Sequence, residues 1–190
     1  RRDLWTFLEF LPDEVLAQAV LSGKRFHCLK DLISHIVAVE DSWIHEDILR
    51  DTPVWESIPG LENAQDGPFN ADMPLEVLLN HWRAVEKSTL EYLGKLTPEE
   101  LARALAVDGA KGLEHFTVEG LLWHVMQHEV RHTAQIAVLS RQMGFKPPAL
   151  DLLFYLVIHN RTLKTPVYSS YGQNHLPAHH GPRNPLEHRV

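Results

Sequence analysis

The strongest evidence for the predicted fold is the segment Val118–Met143, which reads VEGLLWHVMQHEVRHTAQIAVLSRQM. Its apolar residues recur every three or four positions, the spacing that places side chains on one face of an α-helix. Thr117 is a suitable N-cap before this segment, and Gly144 is a suitable stop after it. Because so long a helix must bury its apolar face, the segment predicts a domain in which helices pack against helices.

His128 and His132 lie four residues apart in this helix, so their side chains emerge on one face, about 6 Å apart along the axis. Two imidazoles in that relation can bind one metal ion at about 2.0–2.1 Å. The chain holds 13 histidines, and chance then gives about one pair at this spacing, so spacing alone is weak evidence. Position is stronger evidence, because both residues fall inside the apolar stripe, where unpaired polar groups are costly. Hydrogen-bonded core histidines are the alternative interpretation.

The same apolar spacing predicts further helices on the N-terminal side of this segment. The second strong helix covers Cys28–Leu49, and the third covers Leu75–Leu96 with Pro74 just before its start. The connection between them, Arg50–Met73, is rich in Pro and Gly and is typical of a lid or a crossover. Shorter pieces are predicted at Leu4–Leu11, at Asp13–Leu21, from Thr97 to about Leu105 (a helix), at Val107–Phe116 (a hairpin or an irregular turn) and at Leu150–Arg161 (a last helix).

Long helices with one long connection and no convincing sheet predict an all-α fold, an antiparallel four-helix bundle. We expect this bundle to form one domain over residues 1–161. The remainder, Thr162–Val190, is rich in Pro, Gly, Ser and His and lacks apolar periodicity, so we expect a disordered tail. The chain begins with Arg1 rather than Met, which indicates a processed end or a boundary within a longer sequence.

Composition narrows the classes of function. The formal net charge is −7 and we find no basic stripe, which argues against a nucleic-acid partner. Cys28 is the single cysteine, so an intrachain disulfide is excluded and a reducing, cytoplasmic location is expected. No apolar stretch approaches the roughly 18 residues that would suggest a membrane span, so no membrane association is expected.

His35 is the best candidate for a third metal ligand, because it lies among Leu32, Ile36 and Val39 in the buried stripe of the second helix. His81 is a weaker candidate, and His45, which stands beside two acidic residues, is expected to be solvated. Three histidines with open coordination positions are typical of a catalytic metal site. Such a metal can acidify a bound water or bind a thiol as its thiolate.

Two polar residues near these histidines are candidate catalytic residues. Gln135 lies almost one turn beyond His132 on the same face, where it can orient a ligand histidine or contact a bound water. Glu129 lies at the edge of this face. It completes an HExxH string, which is also the signature of zinc proteases.

Three blocks resemble one known family. The block Leu32–Trp43, LISHIVAVEDSW, resembles the second-helix motif of DinB/YfiT-like proteins, relatives of the damage-inducible DinB of bacilli. The block His124–Ile136, HVMQHEVRHTAQI, resembles their downstream metal motif, and Gly144–Leu156 resembles their closing segment. The blocks follow the family's order, and the resemblance extends over roughly Leu4–Arg161.

The resemblance implies a four-helix bundle, often a homodimer, with a divalent metal ion on His35, His128 and His132. Some relatives transfer small thiols such as bacillithiol, mycothiol or glutathione to electrophiles, and a similar domain supplies iron ligands in sulfoxide synthases. The family's first helix is normally longer than Leu4–Leu11, and the tail after Arg161 has no counterpart that we recognise.

Three functions are compatible with these residues. The leading hypothesis is a metal-dependent transferase that attaches a small thiol to an electrophilic substrate. The second is a metal-dependent hydrolase with Glu129 as the base; its protease version is weaker, because no third ligand follows the HExxH string. The third is a non-catalytic, metal-binding stress-response bundle. Zinc is the favoured metal, but three imidazoles also suit nickel or iron.

Overall fold

The computed structural model describes residues 1–22, 26–62, 70–109 and 112–153. Residues 1–149 form one compact unit, and a second unit begins at residue 150, of which the structure describes 150–153. The described chain is mostly helical and contains one small two-stranded sheet. The α-helices are α1 (Arg2–Phe10), α2 (Asp13–Ala17), α3 (Leu29–Asp41), α4 (Leu75–Leu93), α5 (Pro98–Ala102) and α6 (Val118–Gln142).

Helix α6 confirms the prediction for the segment after Thr117 almost to the residue. The Thr117 hydroxyl accepts a hydrogen bond from the backbone N–H of Gly120 at 3.1 Å, which satisfies one of the free donors of the first turn. Gly144 ends the helix with φ 89°, in the left-handed region that costs glycine little. The helix therefore begins and ends where its capping residues predict.

The predicted second helix is present but changes type along its length. Helix α3 ends at Asp41, and a π-helix continues over Ser42–Leu49. Arg50 then takes a left-handed conformation with φ 56°, and the backbone N–H of Asp51 bonds to the carbonyl of His45 at 2.8 Å. Apolar spacing detected the helix, but it could not detect the wider π turn, which is often found at functional sites.

The N-terminal predictions differ from the structure at their edges. The first two pieces are observed as α1 and α2, and α2 is shorter than the predicted Asp13–Leu21. Helix α4 begins at Leu75 as predicted and ends at Leu93 rather than Leu96. Within the long connection, a short 3₁₀ helix covers Val54–Ser57.

The segment before α6 is an antiparallel hairpin formed by β1 (Ala104–Gly109) and β2 (Gly112–Thr117). Of the two alternatives predicted for Val107–Phe116, the hairpin is therefore confirmed, and it is longer than predicted. The predicted helix ending near Leu105 is wrong at its end, because α5 stops at Ala102 and Leu105 pairs with Phe116 in the sheet. Leu105 is buried, and this burial at the base of the hairpin favours a strand there.

The main core lies among α1, α2, α3, α4 and α6, which all contribute fully buried apolar side chains. Trp5 of α1 meets Trp82 of α4 edge to face, with ring centroids 5.8 Å apart. A second apolar cluster joins the π-helix, the hairpin and the start of α6 through Ile44, Leu105 and Leu121. The two clusters hold α6 packed against α3. Helices α3 and α6 are the ones that carry the candidate metal ligands.

Two predictions concern the C-terminal part of the chain. The predicted helix Leu150–Arg161 lies outside the described residues beyond Leu153, and the predicted tail Thr162–Val190 lies wholly outside them. Neither prediction is tested.

In the part of the chain that the structure describes, no helix has the length and apolar content needed to cross a membrane.

Candidate metal centre

The three histidines named by the sequence lie together between α3 and α6. Their candidate ligand nitrogens, one from each ring, all lie within 4.8 Å of one another. His128 and His132 are buried, with 8% and 6% of their surface exposed, and His35 is half-buried. Within the described residues, no other group of three or more His, Cys, Asp or Glu side chains has this spacing.

Local helix geometry explains the arrangement. His128 and His132 are one turn apart on α6, so they face α3 together. His35 projects from the middle of α3, and its Nε2 lies 2.9 Å from Nε2 of His128. Because the two helices pack closely along this face, a single residue on α3 completes a group of three.

This donor set fits a divalent metal ion. Nitrogen ligands at about 2.0–2.1 Å from a tetrahedral zinc ion lie about 3.4 Å from one another. The spacings within the cluster, from 2.9 Å to at most 4.8 Å, span that value.

A metal ligand must also be a neutral imidazole, with a free lone pair. Burial, followed by the neighbouring His132 and His35, lowers the pKa of His128 to about 3, so His128 is neutral at pH 7.

Gln135, which the sequence predicts to orient a ligand histidine, lies beside the cluster. The Nδ1–H of His132 donates a hydrogen bond to Oε1 of Gln135 at 2.6 Å. This contact leaves the lone pair of His132 on Nε2. A hydrogen bond of this kind fixes the tautomer and the ring orientation of a metal-binding histidine.

Aromatic rings border the cluster on two sides. Phe26 packs on His35 and His132, with ring centroids 4.6 and 5.8 Å away. On the other side, the exposed ring of His124 lies 5.4 Å from Trp43 and 6.0 Å from His128. Apolar walls lower the local dielectric, which strengthens any charge interaction at the cluster.

Glu129 is held by Arg1, a residue that no sequence pattern indicated. Arg1 donates to both carboxylate oxygens of Glu129, from Nε at 2.7 Å and from Nη2 at 2.5 Å. The same guanidinium donates to both oxygens of Glu40, at 3.2 and 2.6 Å. Burial opposes the charge of Arg1, but the contacts with Glu129 and Glu40 outweigh it and raise the pKa of Arg1 above its usual value.

A cavity of about 400 Å³ opens beside this guanidinium. Its walls include Arg1, Glu40 and Glu129 together with apolar side chains such as Leu122 and Met126. None of the three clustered histidines lines it. Glu129 therefore faces the Arg1 side of α6, and its carboxylate is engaged there.

Comparison with known proteins agrees with the geometry. A model of the DinB family matches residues 1–163 of this chain. The chain belongs to the DinB family. The resemblance seen in the three sequence blocks is thereby confirmed, and the match takes in all three clustered histidines. A search of curated proteins finds no match.

This DinB-family chain also contains a second buried polar group, which the sequence reasoning missed. His45 is 4% exposed, so the expectation that it is solvated is wrong. Its Nδ1 lies 2.8 Å from Oδ1 of Asp41, and Nε2 of His81 lies 2.8 Å from Oδ2 of the same carboxylate. His81, a weaker candidate ligand by sequence, is thus placed beside Asp41. The spacing of Asp41 and His45, one helical turn apart, is the signal that could have revealed this pair.

The single cysteine stands in a structural position. Cys28 is buried and stands at the N-cap of α3, beside the carboxylate of Asp31. Burial raises the pKa of its thiol, so it is a poor nucleophile at neutral pH. Any thiol chemistry at the histidine cluster therefore needs a thiol from outside the chain.

Proposed function

We propose that this protein is a metal-dependent enzyme that transfers a low-molecular-weight thiol to an electrophilic substrate. The observation that carries the proposal is the cluster of three imidazoles, drawn from two helices. Three neutral nitrogen ligands leave coordination positions open for a substrate, the arrangement of a catalytic site. Membership of the DinB family supports the metal, because the resemblance implies a divalent ion on these histidines and the family match covers all three.

His35, His128 and His132 would hold the ion, which we propose to be zinc, with nickel or iron as the alternatives. A bound ion supplies one chemical function here, the stabilisation of the substrate sulfur as a thiolate. Gln135 keeps the proton of His132 on Nδ1, so that Nε2 is available as a ligand. Phe26 packs on two of the rings and provides an apolar wall on that side.

The contacts of Glu129 support thiol transfer over hydrolysis. A hydrolase would use this carboxylate as a base that takes a proton from a bound water. Both oxygens of Glu129 instead accept hydrogen bonds from Arg1, so the carboxylate is occupied on the Arg1 side of α6. No further contact of the described residues favours a proteolytic reaction.

We also propose the assembly and location that this activity implies. Helices α1, α3, α4 and α6 would form the family's antiparallel four-helix bundle, since all four share the main core. A homodimer would cover the exposed apolar residues Trp123, Met126 and Val130, which recur at helical spacing on α6. A cytoplasmic location would keep Cys28 and the substrate thiol reduced.

The first test is the metal content of the full chain, measured by elemental analysis after purification without an affinity tag. We expect about one ion per chain, because one three-nitrogen site is built. The matched variant is His128→Ala combined with His132→Ala, in which the tail histidines are intact and the ion should be lost. Equal metal in both proteins, or none after incubation with zinc, nickel and iron, would contradict the site.

The second test is turnover. We expect the metal-loaded protein to accelerate the reaction of a small thiol with a fluorogenic haloalkyl or bimane electrophile, and the rate to fall to background after chelation. Glutathione, cysteine, bacillithiol and mycothiol would be compared at equal concentration. A thiol-transfer rate that is the same with and without metal would rule out the proposed chemistry. A stoichiometric metal site without turnover for any thiol would instead favour the non-catalytic bundle.

A further inference from the structure

The guanidinium of Arg1 joins the two helices that carry the candidate metal ligands. Glu40 lies on α3, five residues after His35, and Glu129 lies on α6 directly after His128. Arg1 donates to both oxygens of each carboxylate, at distances from 2.5 to 3.2 Å. One side chain therefore bridges α3 and α6 next to the histidine cluster.

The bridge is largely removed from solvent and has support from α4. The side chain of Glu40 is 2% exposed, and those of Arg1 and Glu129 are 19% and 20% exposed. Thr89 of α4 donates its hydroxyl to Glu40 at 2.8 Å, and Glu86 lies 4.0 Å from Arg1. Charge-assisted bonds in such a setting are strong, and the planar guanidinium fixes the direction of each carboxylate.

We propose that Arg1 is a positioning residue of the metal centre. By holding Glu40 and Glu129 it sets the register and separation of α3 and α6, on which the meeting of His35 with His128 and His132 depends. Apolar packing also holds these helices together, but it is non-directional and fixes their relative position less sharply. A shift of α6 by a single residue moves its ligands by about 1.5 Å, far beyond the tolerance of a metal site of about 0.2 Å.

This inference rests on the proposed metal site. A variant that changes the charge of residue 1 distinguishes positioning by Arg1 from a general electrostatic effect on metal binding. Replacing Arg1 by Gln removes a positive charge near the site, so electrostatics alone would strengthen the binding of a cation. Loss of positioning would weaken that binding. The two explanations therefore predict opposite signs for Arg1→Gln.

The variants for the test are Arg1→Gln and the double variant Arg1→Gln/Glu40→Gln, both in the full chain. The double variant avoids an unpaired buried carboxylate and leaves the net charge of the bridge unchanged, so it guards against a failure to fold. The control is Arg83→Gln/Glu9→Gln. It breaks an ion pair between α4 and α1, neither of which carries a candidate ligand.

The measurements are the zinc dissociation constant, by competition with a chromophoric chelator, and the absorption spectrum of the cobalt-loaded protein. We expect both Arg1 variants to bind zinc about ten-fold more weakly than the control and to show a changed cobalt spectrum, as for other residues that orient metal ligands. Zinc affinity within two-fold of the control, or tighter, would overturn the inference even if the melting temperature falls. A wild-type protein that binds no zinc would overturn the proposed metal site itself, and with it this role of Arg1.

Discussion

Two histidine groups each take a residue from the helical segment formed by α3 and the π-helix, and they differ in their electrostatics. The first is the candidate metal centre, where His35 of α3 meets His128 and His132 of α6. The second, which we call the Asp41 cluster, consists of Asp41, His45 and His81. The two groups differ in one feature that decides their chemistry, the presence of a carboxylate among the imidazoles.

The carboxylate of Asp41 reverses the direction of the histidine pKa shift. Burial and neighbouring imidazoles lower the pKa of His128, so the metal centre presents neutral lone pairs that suit a cation. Burial also acts against the charges of Asp41 and His45, but the contacts of Asp41 outweigh it. As a result the pKa of His45 is raised and that of Asp41 is lowered.

The Asp41 cluster is accordingly complete without a ligand. Asp41 accepts hydrogen bonds from the backbone N–H groups of Val54 and Trp55, both at 2.9 Å, as well as from the two histidines. These contacts of Asp41 join the π-helix, the connection after it and α4. In this protein, a buried histidine therefore indicates a metal site only where no neighbouring carboxylate pairs with it.

The largest expected effect follows from removing this carboxylate. Asp41→Ala leaves two imidazoles and two backbone N–H groups without their acceptor, and we expect the free energy of unfolding to fall by about 3–5 kcal/mol. The measurement is urea unfolding of the metal-free protein, followed by circular dichroism. Metal content should stay at one ion per chain in the fraction that folds.

The matched variant for this prediction is His128→Ala, which should show the reverse pattern, with loss of the metal and a small change in unfolding free energy without metal. If Asp41→Ala removed the metal while leaving stability intact, the division between a structural cluster and a metal centre would be wrong. The same holds if His128→Ala destabilised the metal-free protein as strongly as Asp41→Ala.

A smaller effect should come from the residue that orients His132. Gln135→Leu removes the acceptor of the Nδ1–H group, and we expect zinc affinity to fall about ten-fold while the melting temperature without metal changes little, since Gln135 is exposed. Zinc competition is the measurement. Gln127→Leu, the same replacement at another exposed position of α6, is the control. Equal affinity in the two variants would mean that the contact of Gln135 with His132 does not tune the ligand.

The sequence predicted the parts of this protein that depend on helical periodicity. The apolar stripe of α6 and its caps at Thr117 and Gly144 are local signals, and the residues that they place on one face include His128 and His132. His35 followed from the same reasoning, because it sits in the apolar stripe of α3. The helices and the candidate ligands could therefore be predicted from residues close together in the chain.

The parts that were missed depend on contacts between distant residues. Arg1 meets Glu129 across 128 positions, and His81 meets Asp41 across 40, separations at which periodicity carries no information. His45 has acidic neighbours in sequence, which favoured solvent exposure, but the wider π turn and the loop after it bury the side chain. The hairpin was ambiguous for a similar reason, because its pairing is fixed by packing under Leu105.

The smallest expected effect concerns the pKa shifts within the Asp41 cluster. The raised pKa of His45 means that its contribution to stability is fully present below about 6.5, the usual histidine value, and is lost as the pH rises through the raised folded value. The lowered pKa of Asp41 means that its contribution is present above about 3.8 and is lost as the pH falls. The full stabilisation by the pair therefore lies between these two values.

Because other groups titrate in the same range, the measurement is the difference in unfolding free energy between wild type and His45→Gln, both without metal. Gln can still donate a hydrogen bond to Asp41 but carries no charge. The other groups around this pair are the same in both proteins, namely His81 beside Asp41, and Ser88 and Asp51 near His45. We expect the advantage of the wild type to be largest near pH 5–6 and to shrink towards pH 9. A difference that is constant across this range would mean that the pKa of His45 is the same in the folded and the unfolded protein, and the electrostatic contrast between the two histidine groups would fail.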